Sequence, residues 1–424
     1  MYRAICILLG CVPALLAEAP AAIAIRNARV VTGTGVVLER GTVVLGNGLI
    51  EAVGEDPPLK PGVWVMEGKG LTVYPGLIDA LSSWGIPAGP PAQPAPQPAP
   101  AARGPEDRPL NTSWVRAADL IQPGDPRIEA ARNAGFTTAV TFPMTGIFAG
   151  QGAVVNLAGE RAGDMVVAAP TGLYVTLGGA GGFASFPGSL MGVIAYLRQS
   201  YIDADYYRVV QANYARHPAG ARRPAYDRAI EGLRDCPRVL LPAGRKVEMA
   251  RMLRLAAELN VKPVLYGGHE AYRAIQTLKQ SPVPVLVSLK WPERDKDADP
   301  ELPESLRTLE TRESAPAGPA ALAQAGIPFA FYSGGVERPR DLLKAVKRAI
   351  DAGLSQQDAL RALTLSTALI YGVADRLGSI EPGKIANLVV TRGGLFDEKT
   401  EIQCVFIDGV KFEPPKETTG EAGK

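Results

Sequence analysis

Histidine is almost absent from this chain: His217 and His269 are the only two in 424 residues. A site that needs three or more imidazoles cannot be assembled from it. Cysteine is nearly as scarce, with Cys6 and Cys11 close to the start and Cys236 and Cys404 standing alone. The last two lack the paired spacing of a thiolate metal site and read as isolated, buried thiols. Charge of one sign is missing too, since 45 basic residues face 43 acidic ones for a net charge of +2. Without a field of one sign there is nothing to hold phosphate backbones, and no nucleic-acid partner is expected. The apolar stretch from Ala4 to Ala17 is too short to span a membrane stably, so no integral span is expected.

That stretch follows Met1-Tyr2-Arg3 and ends at Ala17-Glu18-Ala19. One positive charge, a short apolar run and an Ala-x-Ala exit are the pattern of a secretory signal peptide, taken here as residues 1–19. It predicts an exported protein, periplasmic or extracellular. Leu8-Leu9-Gly10-Cys11 also resembles a lipobox, which would anchor the chain through a lipid on Cys11.

What the chain does have is apolar content, at 46%, enough to bury one barrel-sized core and a smaller one. Short β-segments run from Ile23 to Tyr74, and Gly46-Asn47-Gly48 between β-branched runs predicts a hairpin. Strands and helices then alternate. Helices are expected at Arg127 to Ala134, Lys246 to Leu259, His269 to Lys279, Ala320 to Ala325, Arg340 to Ala352 and Ser355 to Ala368. The helix from Lys246 places Val247, Ala250, Leu253 and Ala257 on one face. This alternation predicts an α/β (β/α)8 TIM-like barrel over residues 75–372. Residues 20–74 and 373–413 return to β-segments and predict one composite β-sandwich domain built from both chain ends. A Pro/Ala-rich insertion at 85–109 cannot bury a core, and 414–424 reads as a polar, disordered tail.

Several local sequences carry a resemblance. Tyr74-Pro75-Gly76-Leu77-Ile78-Asp79, the hairpin Gly41 to Gly54, Leu360 to Gly372 and Leu377-Gly378-Ser379-Ile380-Glu381-Pro382-Gly383-Lys384-Ile385-Ala386-Asn387-Leu388-Val389-Val390 resemble the amidohydrolase superfamily, specifically the branch near imidazolonepropionase. The resemblance implies a hydrolase of carbon–nitrogen bonds that uses zinc or another divalent metal to activate water and polarise a carbonyl. Its ligands converge from several strand ends, and the first two are a His-x-His just after the Asp. At those two positions this chain has Leu81 and Ser83. The other ligand positions implied are Pro242, Gly267 and Gly334, none with a coordinating side chain. The metal ligands are therefore expected to be lost, and no cofactor is expected.

Five residues remain candidates at the barrel mouth: His269, Glu270, Ser333, Asp79 and Ser83. His269 could serve as a base or hydrogen-bond a ligand, and it equally suits the first turn of its helix, where the helix dipole favours Glu270. Ser333 precedes two glycines and could expose its hydroxyl. Asp79 suits a buried or turn-stabilising carboxylate. His217 reads as a surface residue. Gly178-Gly179-Ala180-Gly181-Gly182 lacks the Lys-Ser/Thr of a phosphate loop, and Lys290 to Asp297 reads as a solvated loop with Trp291 at a pocket wall. Three functions fit: a pseudoenzyme that binds a ligand or partners a catalytically complete relative, as homo- or hetero-oligomer; an active hydrolase with a nonstandard site; or an envelope role.

Overall fold

The computed structural model describes residues 22–87, 102–178, 186–295, Asp297, Asp299, 301–336 and 338–415. The signal segment with Cys11, most of the Pro/Ala-rich insertion, Gly179 to Gly182 and the tail beyond 415 lie outside the described residues.

The N-terminal end supplies β1 (Ala22–Val31), β2 (Val37–Gly46), β3 (Leu49–Gly54), β4 (Trp64–Glu67) and β5 (Leu71–Pro75). β2 and β3 pair antiparallel around Asn47 and Gly48, whose φ angles of 53° and 77° are those a two-residue hairpin turn demands. Ten strands follow: β6 (Leu77–Ser82), β7 (Phe136–Thr141), β8 (Phe148–Gln151), β9 (Ala153–Asn156), β10 (Val166–Ala168), β11 (Leu173–Val175), β12 (Val239–Ala243), β13 (Pro263–Gly267), β14 (Val285–Ser288) and β15 (Phe329–Tyr332). The C-terminal end adds β16 (Leu388–Arg392), β17 (Glu401–Ile407) and β18 (Val410–Phe412).

Both chain ends meet in one eight-stranded sheet, ordered β18-β17-β16-β5-β1-β2-β3 with β4 on β1. Its core holds Ile25, Val43, Leu45, Val73, Leu388 and Phe406. This agrees with a β domain drawn from both ends.

Among the described residues the strands do not close into the expected barrel. The middle strands make two sheets, β10-β9-β7-β6 and β15-β14-β13-β12-β11-β8, the second parallel from β11 to β15. They still share one core: Ile78, Val140, Phe142 and Val154 from the first meet Leu240, Val264, Leu286 and Ala330 from the second. The split has a local cause. β8 pairs antiparallel with β11, whereas β9 pairs antiparallel with β7, so the chain crosses between sheets at Gly152. A Cβ on Gly152 would sit 2.3 Å from the Phe142 ring, so only glycine makes the crossing. At the other seam β6 and β15 are tied by the Asp79 carboxylate, which accepts from the Ser333 N–H at 2.9 Å.

Three helix expectations change. His269 and Glu270 lie in a turn, followed by a 3-10 turn at Ala271–Arg273 and a short helix Ile275–Gln280. The segment from Ser355 breaks into Gln356–Ala362 and Leu365–Tyr371, with Thr364 at φ −137° and ψ −96° between them. Helix Lys246–Glu258 exists but buries Met249, Met252, Leu255 and Ala256 instead of the face through Val247. Both stripes have helical spacing; the longer Met and Leu side chains remove more apolar surface from water, and the sheet beneath selects them. A 27-residue helix, Leu190–Arg216, forms where the sequence pattern predicts none.

Two motifs turn out to join the sheets. A Cβ on Gly76 would lie 2.1 Å from Thr137 Oγ1, and the Gly76 N–H donates to the Asn387 carbonyl at 2.8 Å. Asn387 Nδ2 donates to Thr138 Oγ1 at 3.0 Å and Asn156 Oδ1 at 2.8 Å, while its Oδ1 accepts from the Asp408 N–H at 3.0 Å.

Candidate functional site

Above the C-terminal ends of β6 and β15 lies a cavity of about 660 Å³. Leu81, Ser83 and Trp84 line it from β6 and the turn after it, Tyr332 to Val336 from β15 onward, Tyr174 from β11, and Arg127 from the helix Pro126–Asn133. The chain thus folds so that three of the positions implied as lost ligands, Leu81, Ser83 and Gly334, open onto one space.

Arg127 organises the rim. Asp125 caps the helix by accepting from the Arg127 N–H at 3.0 Å, and its carboxylate also takes the guanidinium at 2.7 Å. The same guanidinium donates to Ser83 Oγ at 3.0 Å and to the Ile86 carbonyl at 2.6 Å. Arg127 and its hydrogen bonds hold the Asp125 carboxyl below its ordinary range against the opposing effect of burial. Ser83 is therefore a positioned hydroxyl.

Beneath the rim the interior is aromatic. Tyr174 and Tyr266 have ring centroids 5.0 Å apart, and the Tyr266 hydroxyl donates to the Val175 carbonyl at 3.0 Å. The Tyr371 hydroxyl donates to the Ala80 carbonyl at 2.7 Å. Burial pushes the Tyr266, Tyr332 and Tyr371 hydroxyls well above their ordinary range, so all three stay neutral. Tyr174, Tyr266 and Tyr332 come from strands and Tyr371 from the end of a helix, and no sequence motif marks them; the sequence pattern singled out neither Tyr174, Tyr332 nor Arg127 as a site residue.

Asp79 is the singular group. It is 1% exposed, and its Oδ1 accepts from the Ser333 and Leu81 N–H groups, at 2.9 and 3.3 Å. Its Oδ2 has no partner among the described residues. Burial pushes the carboxyl up to about 7, with the bonds to Ser333 and Leu81 opposing that shift. Asp79 is not part of the cavity wall, although Leu81 and Ser333, whose N–H groups it accepts from, both are; a buried carboxyl that shares its proton near neutrality is unusual.

The remaining candidates lie elsewhere. Glu270 is 3% exposed and is used up structurally: it accepts from the Lys246 N–H at 2.9 Å, at the start of helix Lys246–Glu258, and pairs with Arg307 at 3.1 Å. His269 packs 6.1 Å from the Trp291 ring, and its buried Nε2 has no partner among the described residues. Burial holds this imidazole below its ordinary pKa. Neither residue lines the cavity, nor do Pro242 and Gly267. His217 is exposed at the end of the long helix, and Trp291 is buried with its Nε1 donating to the Ala345 carbonyl at 2.9 Å.

A model of the amidohydrolase family matches residues 219–411. Over 92% of this chain and 100% of the other, the structure is similar to an amidohydrolase from Thermotoga maritima MSB8, at 26% identity and a TM-score of 0.75. A prolidase complexed with N-methylphosphonate-L-proline aligns at 16% identity, covering 92% of this chain and 99% of that one, with a TM-score of 0.55. Phenylurea hydrolase B aligns at 16% identity, covering 93% and 97%, with a TM-score of 0.51. These last two establish a common fold. Among curated protein sequences there is no match.

The matches correct one expectation, that no cofactor is to be expected: proteins of this family typically use a divalent metal. The side chains at the implied positions do not fit one. Leu81 is apolar and 3% exposed. A Cβ on Gly334 would lie 2.0 Å from Ser288 Oγ, and one on Gly267 would lie 2.9 Å from the Gly244 backbone. Among the described residues no group of three or more His, Cys, Asp or Glu is placed to hold a metal. Asp79 offers one free carboxylate oxygen, well short of a ligand set.

Proposed function

We propose that this chain, which belongs to the amidohydrolase superfamily, is a pseudoenzyme that works by binding a small ligand in the cavity above β6 and β15. The observation that carries this is the content of the cavity wall. Leu81, Ser83 and Gly334 stand where the family resemblance implies ligands, and they shape a space with aromatic walls and a few fixed polar groups, the usual make-up of a binding pocket. Trp84, Tyr174 and Tyr332 supply flat apolar surface. Ser83 and Arg127 supply hydrogen bonds whose directions are set before a ligand arrives.

Metal content of the purified chain, measured together with turnover of dipeptides and cyclic amides, tests this. Near-stoichiometric metal with turnover abolished by a chelator would overturn it. Saturable binding of a small molecule, weakened in Tyr332→Ala with no turnover by either protein, is the expected result.

Asp79 favours a second reading, an active hydrolase of carbon–nitrogen bonds with a nonstandard site. A carboxyl at about 7 with a free oxygen is suited to proton transfer. Turnover that vanishes in Asp79→Asn would establish it over the first. Export is part of the proposal and rests on the N-terminal pattern of residues 1–19. Among the described residues no helix is long and apolar enough to cross a membrane.

A further inference from the structure

Helix Leu190–Arg216, about 40 Å long at 1.5 Å per residue, buries one face and leaves the other bare. Val193, Tyr196, Leu197 and Tyr201 pack inward. Outward, Met191 is 84% exposed, Ile202 60%, Tyr206 71% and Val209 65%, with exposed Ala195 in the same row. Positions 191, 195, 202, 206 and 209 fall on one stripe of a helix, edged by Arg198 and Asp205, so the exposed apolar residues share a face and are not scattered.

We propose that a second copy of this chain covers that stripe, its helix packed antiparallel about a twofold axis at Ile202. The charges on the flank argue for it. Arg198 lies four residues before Ile202 and Asp205 three residues after, two helical turns apart on the same flank. An antiparallel twofold at Ile202 brings Arg198 level with the partner subunit's Asp205 to within one residue, about 1.5 Å along the axis. Within its own chain Arg198 pairs with Glu258 at 2.8 Å, and Asp205 with Arg234 at 2.6 Å. The twofold therefore lines up four charges of alternating sign on each side of the interface. It also sets small Ala195 against the partner's Val209 and places Arg198 beside the partner's Tyr206, a cation–π arrangement. A parallel pairing would oppose Arg198 to itself and Asp205 to itself. Such self-complementarity is what an isologous dimer requires. The mixed flank argues against an anionic lipid surface as the occupant.

Light scattering behind size exclusion, on the full chain from roughly 1 to 100 µM, above the sub-micromolar Kd typical of standard-size interfaces, gives the test. A dimer is expected, and Ile202→Asp should weaken it by about 30-fold or more with unchanged circular dichroism. Ile202→Cys should form a covalent dimer on oxidation, whereas Arg216→Cys and the unsubstituted chain should not. A monomer throughout, a dimer indifferent to Ile202→Asp, or equal cross-linking at both cysteines would overturn the proposal.

Discussion

The joint between the composite sheet and the inner strands, and the mouth above those strands, draw on the same short motif and are built in opposite ways. At the joint, Gly76 passes where no side chain fits, and Asn387 satisfies three neighbours at once. Below the mouth, three residues past Gly76, Asp79 is sealed with one oxygen that has no partner among the described residues, and Leu81 fills space beside tyrosines. The residues that specify the architecture and those that specify chemistry are thus separable within one turn of chain.

The largest effect that tests this contrast comes from Asp79. Its carboxyl titrates at about 7 when folded and near ~3.9 when unfolded, so the native state holds the proton longer. Its contribution is fully present below about pH 3.9. It is lost as pH rises through about 7, by on the order of 4 kcal/mol. Urea unfolding at several pH values should show this decline, and Asp79→Asn, which keeps the acceptor for Ser333, should abolish that component. An identical pH slope in the variant would mean that the mouth stores no such strain.

Next comes Gly76→Ala, whose Cβ must displace Thr137; a loss of about 3 kcal/mol is expected on denaturant unfolding. A near-neutral result would show the joint to be plastic and weaken the contrast. Asn387→Ala leaves Thr138, Asn156 and the Asp408 N–H short of a partner, and about 2 kcal/mol should be lost. Away from the cavity, Arg307→Ala removes its pair with Glu270, whose cationic end is 60% exposed. Solvent screening limits that loss to under about 1 kcal/mol in thermal unfolding. A larger loss would show that this surface pair is a structural joint as well.

Much of the architecture was legible because it is written locally. The Asn47-Gly48 turn declares a hairpin by its tolerance of positive φ, and Pro75-Gly76 and the stretch that runs on to Asn387 mark the joint. The site was legible mainly by subtraction: Leu81 and Gly334 show what cannot coordinate. Its positive content was hidden, because Tyr174, Tyr332 and Arg127 come from separate stretches and no spacing announces their convergence. His269 and Glu270 misled for the same reason, since adjacency to Gly267 in sequence says nothing of which side of the rim a turn faces.

The sequence by itself determined that strands and helices alternate, that both chain ends return to β structure, and that a site built on several imidazoles is out of reach. Those follow from periodicity, turn stereochemistry and composition, which act over a few residues. Only the tertiary structure decided that the inner strands part into two sheets at Gly152, which stripe of helix Lys246–Glu258 is buried, and that Asp79 lies sealed with one oxygen unpaired. Each of these depends on which distant surfaces meet, where the fit of side chains and the loss of water set the energy, and no local pattern encodes that.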